Sequence, residues 1–138
     1  GKSTIEIIKK LNKKNIKLNI TAVFTLTQVK QILNNINKNA DLIISIFAGR
    51  IADTGRDPVP VIKDAIKLKK NFKKVKILWA STREVLNIYQ AEKINCDIIT
   101  VPNNMLKKIS LKNKNLNKYS IETSRDFYID GKKSKFNI

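Results

Sequence analysis

Apolar positions along this chain alternate between helical and strand periods. Residues 3–6, Ser-Thr-Ile-Glu, read as a capping box, and Ile5, Ile8 and Leu11 follow at helical spacing. Residues 17–24 read as a strand. Thr25-Leu26-Thr27-Gln28 is a second capping box, opening a helix with Leu26, Val29, Leu33 and Ile36 on one face. Residues 41–48 are almost continuously apolar, as expected of a parallel-sheet strand covered on both faces. Asp57 and Pro58 supply an N-cap and a first-turn proline for a helix carrying Val61, Ile62, Ala65 and Ile66. A third strand is predicted over 75–80 with its helix over 82–91, and a fourth over 96–101. Pro102 then opens a short helix of Met105, Leu106 and Ile109. After a connection rich in Lys and Asn, residues 120–130 read as a closing helix with Gly131 as its stop.

The strands start near 17, 42, 75 and 97. Their mean repeat of about 27 residues is close to the roughly 31 of a (β/α)8 barrel. The fold class predicted is α/β, a single domain over 1–138 built as four strands of a TIM barrel with their helices. A flavodoxin-like sheet would need a ligand loop after its first strand, and Phe24-Thr25-Leu26 is not glycine-rich. Alternation puts Asn19, Thr21 and Val23 on one face of the first strand, Ser45, Phe47 and Gly49 on one face of the second, and Ile77, Trp79 and Ser81 on one face of the third. Asn19, Thr21, Ser45 and Ser81 are thereby assigned to the inward face, towards the strand C-termini, where such barrels hold their sites.

Composition narrows the chemistry. The 138 residues are 42% hydrophobic, enough for a core, and no run approaches the roughly 20 apolar residues of a membrane span. Gly1-Lys2-Ser3 opens no secretory pattern, and Cys96, the lone cysteine, excludes an intrachain disulfide and fits a reducing cytoplasm. It reads as a small buried residue at a strand start. The formal charge is +17, but 24 of the 28 cations are Lys, spread among 22 Ile and 16 Asn. That pattern fits a coding bias filling solvated positions, with neither the aromatic platform nor the arginine stripe of nucleic-acid recognition. The same field would draw in anionic sugar phosphates. With no His, the Ser-His and Cys-His nucleophiles and the usual imidazole metal ligands are excluded, and the 11 carboxylates show no metal-site spacing.

Two runs carry the candidate chemistry: Ser45-Ile46-Phe47-Ala48-Gly49-Arg50-Ile51-Ala52-Asp53 and Ala80-Ser81-Thr82-Arg83-Glu84. Each sets an arginine just past an apolar strand, and the second adds a serine at a strand-to-helix junction. Two guanidinium forks and a hydroxyl beside helix first-turn amides make a phosphate cradle. Asp53, Arg56 and Asp57 read as a structural loop-and-cap cluster. Together with N-I-T-A-V-F (residues 19–24) and C-D-I-I-T-V-P (residues 96–102), the two runs resemble the transaldolase family of class I aldolases, in sequence and spacing.

The resemblance spans residues 3–129 and is to the C-terminal half, the last four strands, of that barrel. It implies a metal-free, cofactor-free enzyme in which a lysine imine with a ketose phosphate allows C–C cleavage and passes a dihydroxyacetone unit to another aldose. By matching position, Arg50, Ser81 and Arg83 would hold the substrate phosphate. Asn19 and Ser45 would bond the dihydroxyacetone moiety, and Thr21 would hold the water that relays protons. Phe47 is the residue of transaldolases, where the similar fructose-6-phosphate aldolases carry Tyr. The family also implies carbohydrate metabolism of the pentose phosphate type, a cytoplasmic location, sugar-phosphate substrates, a homo-oligomer when intact, and no membrane or nucleic-acid partner. The family's imine lysine would lie upstream of Gly1; Lys17 and Lys76 fall early in strands, away from the site. The chain by itself is therefore expected to be inactive. The alternatives are aldol cleavage of the fructose-6-phosphate aldolase type, another phosphosugar-binding barrel, or a basic nucleic-acid-binding domain.

Overall fold

The computed structural model describes residues 3–134. The chain divides into two compact units, one running to Leu106 and the other from Lys107. In the first, helices α1 (Ile5–Lys13), α2 (Leu26–Leu33), α3 (Ala48–Ala52), α4 (Val59–Leu68), α5 (Val85–Lys93) and α6 (Asn103–Leu106) alternate with strands β1 (Leu18–Val23), β2 (Leu42–Ile46), β3 (Val75–Trp79) and β4 (Ile98–Ile99). The strands are all parallel and lie in the order β1-β2-β3-β4. Strictly sequential parallel order is that of consecutive barrel strands. A flavodoxin-like sheet would place its first strand between the second and third. The architecture is α/β and consistent with part of a (β/α)8 barrel.

The core lies between one face of the sheet and the helices. Leu42, Ile44 and Ile46 of β2 stand in register with Val75, Ile77 and Trp79 of β3, and all six are buried with Val29, Ile32, Ile62 and Ala65 from the helices. Each such aliphatic side chain contributes about 1.5–3 kcal/mol by leaving water. Ile77 and Trp79 thus face the helices, and the inward face expected for them is corrected. Ser81 lies beyond β3 with φ +60°, so strand alternation does not extend to it. A similar slip occurs in β1. Leu18, Ile20 and Val23 all pack against the core, because the ladder is irregular between Ile20 and Val23, where Ala22 takes φ +57°. Val23 therefore leaves the face it was expected to share with Asn19.

Local chemistry explains the other departures. The Thr25–Gln28 capping box forms as read. The Ser3–Glu6 box does not: Ser3 Oγ accepts from Ile5 N–H at 3.4 Å, while the Glu6 carboxylate turns to Lys9 Nζ at 2.9 Å. That contact holds the Glu6 carboxyl below its ordinary pKa. Asp57 Oδ1 accepts from Val59 N–H at 2.9 Å, at the start of α4. The chain after β2 turns at once into the unanticipated α3, which carries Arg50. Helix α5 begins at Val85 rather than at residue 82, because Glu84 and Asn87 form a reciprocal capping box there.

Strand β4 is two residues long instead of six because side chains make its lower rungs. Asp97 Oδ2 accepts from Ile77 N–H at 2.7 Å, and Cys96 Sγ donates to the carbonyls of Ile77 and Ile98 at 3.4 Å. In the second unit, α7 (Leu116–Lys133) starts at an Asn115 cap, with Asn115 Oδ1 accepting from Lys118 N–H at 3.1 Å. It runs through Gly131 to Ser134, so that glycine is not its stop. Among the described residues, no helix is long and apolar enough to cross a membrane.

Candidate active site

The loops at the C-terminal ends of the strands gather most of the residues singled out above. The strands stay tied where those loops begin: Phe47 N–H donates to Val23 O at 2.9 Å and Ala80 N–H to Ile46 O at 2.8 Å. Gly49 N–H then reaches Ala80 O at 3.3 Å. A Cβ at position 49 would stand 1.6 Å from the Ser81 carbonyl oxygen, so only glycine permits this approach. Gly49 thereby presses the Arg50 loop onto the Ser81–Arg83 loop. The result is an open cleft of about 340 Å³ lined by Arg50, Ser81, Thr82, Arg83, Thr100 and Pro102.

Each arginine is seated by a neighbour. The Arg50 guanidinium carbon lies 5.5 Å from the centre of the Phe47 ring, which itself stands 5.8 Å from Phe24 at a tilt of 50°. A cation over a ring face gains about 0.5–1 kcal/mol at an exposed site and loses rotational freedom. Arg83 Nη2 donates to Asp53 Oδ2 at 2.7 Å. Thr82 is buried and its Oγ1 donates to Thr100 O at 2.6 Å, pinning the loop after β3 to the end of β4. The N–H groups of Arg83 and Glu84 donate to Asn87 Oδ1 at 3.1 and 3.0 Å, and the Glu84 carboxylate itself caps the turn. The side chains that line the cleft include two guanidinium groups and the Ser81 hydroxyl, all hydrogen-bond donors.

Asn19 and Ser45 also meet. Ser45 is 3% exposed and its Oγ donates to Asn19 Oδ1 at 2.7 Å, leaving the exposed Asn19 amide free to donate outward. Thr21 is not joined to either group; it lines a separate groove with Thr4, Gln28 and Gln31. Lys17 pairs with Asp41 at 3.2 Å, and Lys76 stands in register with Ile43, as Asn19 does. Sequence reasoning missed Thr82 and Thr100, although both lie inside quoted motifs. It also assigned Asp53 to a loop cluster, since nothing local reveals an ion pair 30 residues away. Among the described residues, Cys, Asp and Glu form no group able to hold a metal.

A sequential parallel βα sheet with a cleft at its strand ends places the chain in the α/β class, consistent with part of a (β/α)8 barrel. A family model described as transaldolase/fructose-6-phosphate aldolase matches residues 2–137, and the chain belongs to that family. A "Probable transaldolase" of Carboxydothermus hydrogenoformans is 35% identical over 106 residues, covering 76% of this chain and 48% of that protein. One from Nitrosopumilus maritimus is 32% identical over 107 residues, with 76% and 46% covered. Another from Caldicellulosiruptor saccharolyticus is 29% identical over 108 residues, with 77% and 48% covered. The chain thus spans about half the length of the curated relatives it matches.

Proposed function

We propose that this chain supplies the phosphate- and donor-binding part of a transaldolase-type site, which transfers a dihydroxyacetone unit between sugar phosphates through a lysine imine. The observation that carries the reading is the Gly49–Ser81 contact, since it sets Arg50, Ser81 and Arg83 around one cleft. A phosphate dianion there would take charge-assisted bonds from both forks. Ser45, oriented by Asn19, and the Asn19 amide would hold the hydroxyls of the ketose near its carbonyl. Thr21 is proposed as the holder of the proton-relay water. The imine lysine is proposed to lie in the part of the family fold that this chain does not contain. Phe47 packs under Arg50, and the family resemblance, with Phe here where the fructose-6-phosphate aldolases carry Tyr, favours transfer over simple aldol cleavage. A cytoplasmic sugar-phosphate enzyme, oligomeric when whole, is the setting that fits.

The test is a comparison of substrates. In the catalytically complete protein, Arg50→Ala or Arg83→Ala should lower kcat/KM for phosphorylated sugars by about 2–4 kcal/mol in transition-state terms. Non-phosphorylated analogues should lose far less; equal losses on both would overturn the reading. Borohydride trapping with fructose 6-phosphate should label a lysine outside this chain, and labelling of Lys17 or Lys76 would move the nucleophile inside it.

A further inference from the structure

Asp53 stands where local physics disfavours a carboxylate. It caps the C-terminus of α3, its own N–H donating to Gly49 O at 2.9 Å, a helix end where a cation is the usual companion and an anion is not. A residue that breaks a local rule marks a position held by something tertiary. Here that partner is Arg83, whose Nη2 donates to Asp53 Oδ2 at 2.7 Å. Both side chains are 51% exposed, and pairs so open to water add little to folding stability. Stability alone does not account for the arrangement.

The geometry around Arg83 does. Its backbone N–H is fixed by Asn87 Oδ1 at 3.1 Å. Its Cγ lies 3.0 Å from where a Cβ on Gly49 would stand, so the stem crosses the glycine. Asp53 completes the restraint at the far end, engaging one nitrogen of the fork and leaving the remaining N–H groups to donate. A long side chain ordered beforehand loses less entropy when an anion arrives.

We propose that Asp53 is a positioning residue that presets the Arg83 guanidinium for the phosphate of the sugar substrate; this rests on the cleft being the phosphate site. The experiment titrates the chain with inorganic phosphate and follows the ¹⁵N resonances of the arginine side chains, of which there are four. Asp53→Ala should raise the apparent Kd about three- to tenfold, the cost of ordering one long side chain on binding. Its Tm should stay within about 2 °C of the parent, as for any exposed pair. Asp53→Glu should recover part of the affinity, and Asp53→Ala should add nothing in an Arg83→Ala background. Unchanged or tighter binding by Asp53→Ala, or an effect that persists without Arg83, overturns the proposal while the phosphate site stands. If Arg83→Ala itself leaves phosphate affinity unchanged, the cleft is not the phosphate site, and the positioning role falls with it.

Discussion

A methyl group on residue 49 would overlap the Ser81 carbonyl oxygen at 1.6 Å, and would crowd Arg83 Cγ at 3.0 Å. The Ser81 carbonyl is not free to withdraw. Ser81 is already in the left-handed region at φ +60°, which costs a non-glycine residue about 1–2 kcal/mol, and Thr82 is bonded to Thr100 O behind it. Gly49→Ala should therefore destabilise the fold by about 3 kcal/mol or more, as severe overpacking does. Urea denaturation measures this directly, and a variant melting like the parent would show that the two loops do not meet as described. Arg50, Ser81 and Arg83 were legible as candidates because their residue types fit phosphate and their positions follow apolar runs. Asp53 was not legible as an arginine partner, because charge, capping and turn rules all act within a few residues. The pair is made across two loops.

At the scale of elements, β4 is the least self-sufficient. Only Leu78↔Ile98 and Trp79↔Ile99 are paired with β3, and Asp97 supplies the next rung through its side chain. That carboxylate also takes Lys69 Nζ at 2.7 Å, with the two side chains only 26% and 16% exposed. Asp97→Ala leaves the buried Ile77 N–H without its acceptor and should cost about 2–3 kcal/mol. The expected signature is a lower urea midpoint at unchanged m value. Beside it, burial pushes the Cys96 thiol above its ordinary pKa. A pKa raised by folding stabilises fully below the unfolded value and loses that contribution as pH climbs through the folded one. The stability difference between the parent and Cys96→Ala should accordingly be flat at neutral pH and change only on the alkaline side. A difference that titrates below neutrality would contradict this. Strand and helix order was legible from periodicity, whereas the length of β4 was not, since side-chain rungs leave no periodic trace.

For the whole molecule, the four-strand sheet has, among the described residues, no strand paired beyond β1 or beyond β4. Its face away from the core carries the exposed Asn19 and Lys76 and the half-buried Ile43. Open edges with free N–H and C=O groups invite further strands. In solution at micromolar concentration, the chain is expected to sediment as more than a monomer. The charge of +17 opposes that association by self-repulsion, so the shift should grow with salt over the range where screening sets in. A monodisperse, cooperatively melting monomer at all salt concentrations would show the sheet to be closed off in some other way.

The sequence by itself determined the alternation of helices and strands, their parallel character and the phosphate-seeking residue types. These depend on hydrophobic period, helix caps and side-chain chemistry, all properties of short stretches. The faces of Val23, Ile77 and Trp79, the cleft made by Gly49 against Ser81, and the pairing of Asp53 with Arg83 were decided only by the tertiary structure. Bulges shift a face by one residue, and a close approach or an ion pair joins residues some 30 positions apart. No local pattern encodes such distances; packing one loop against another does.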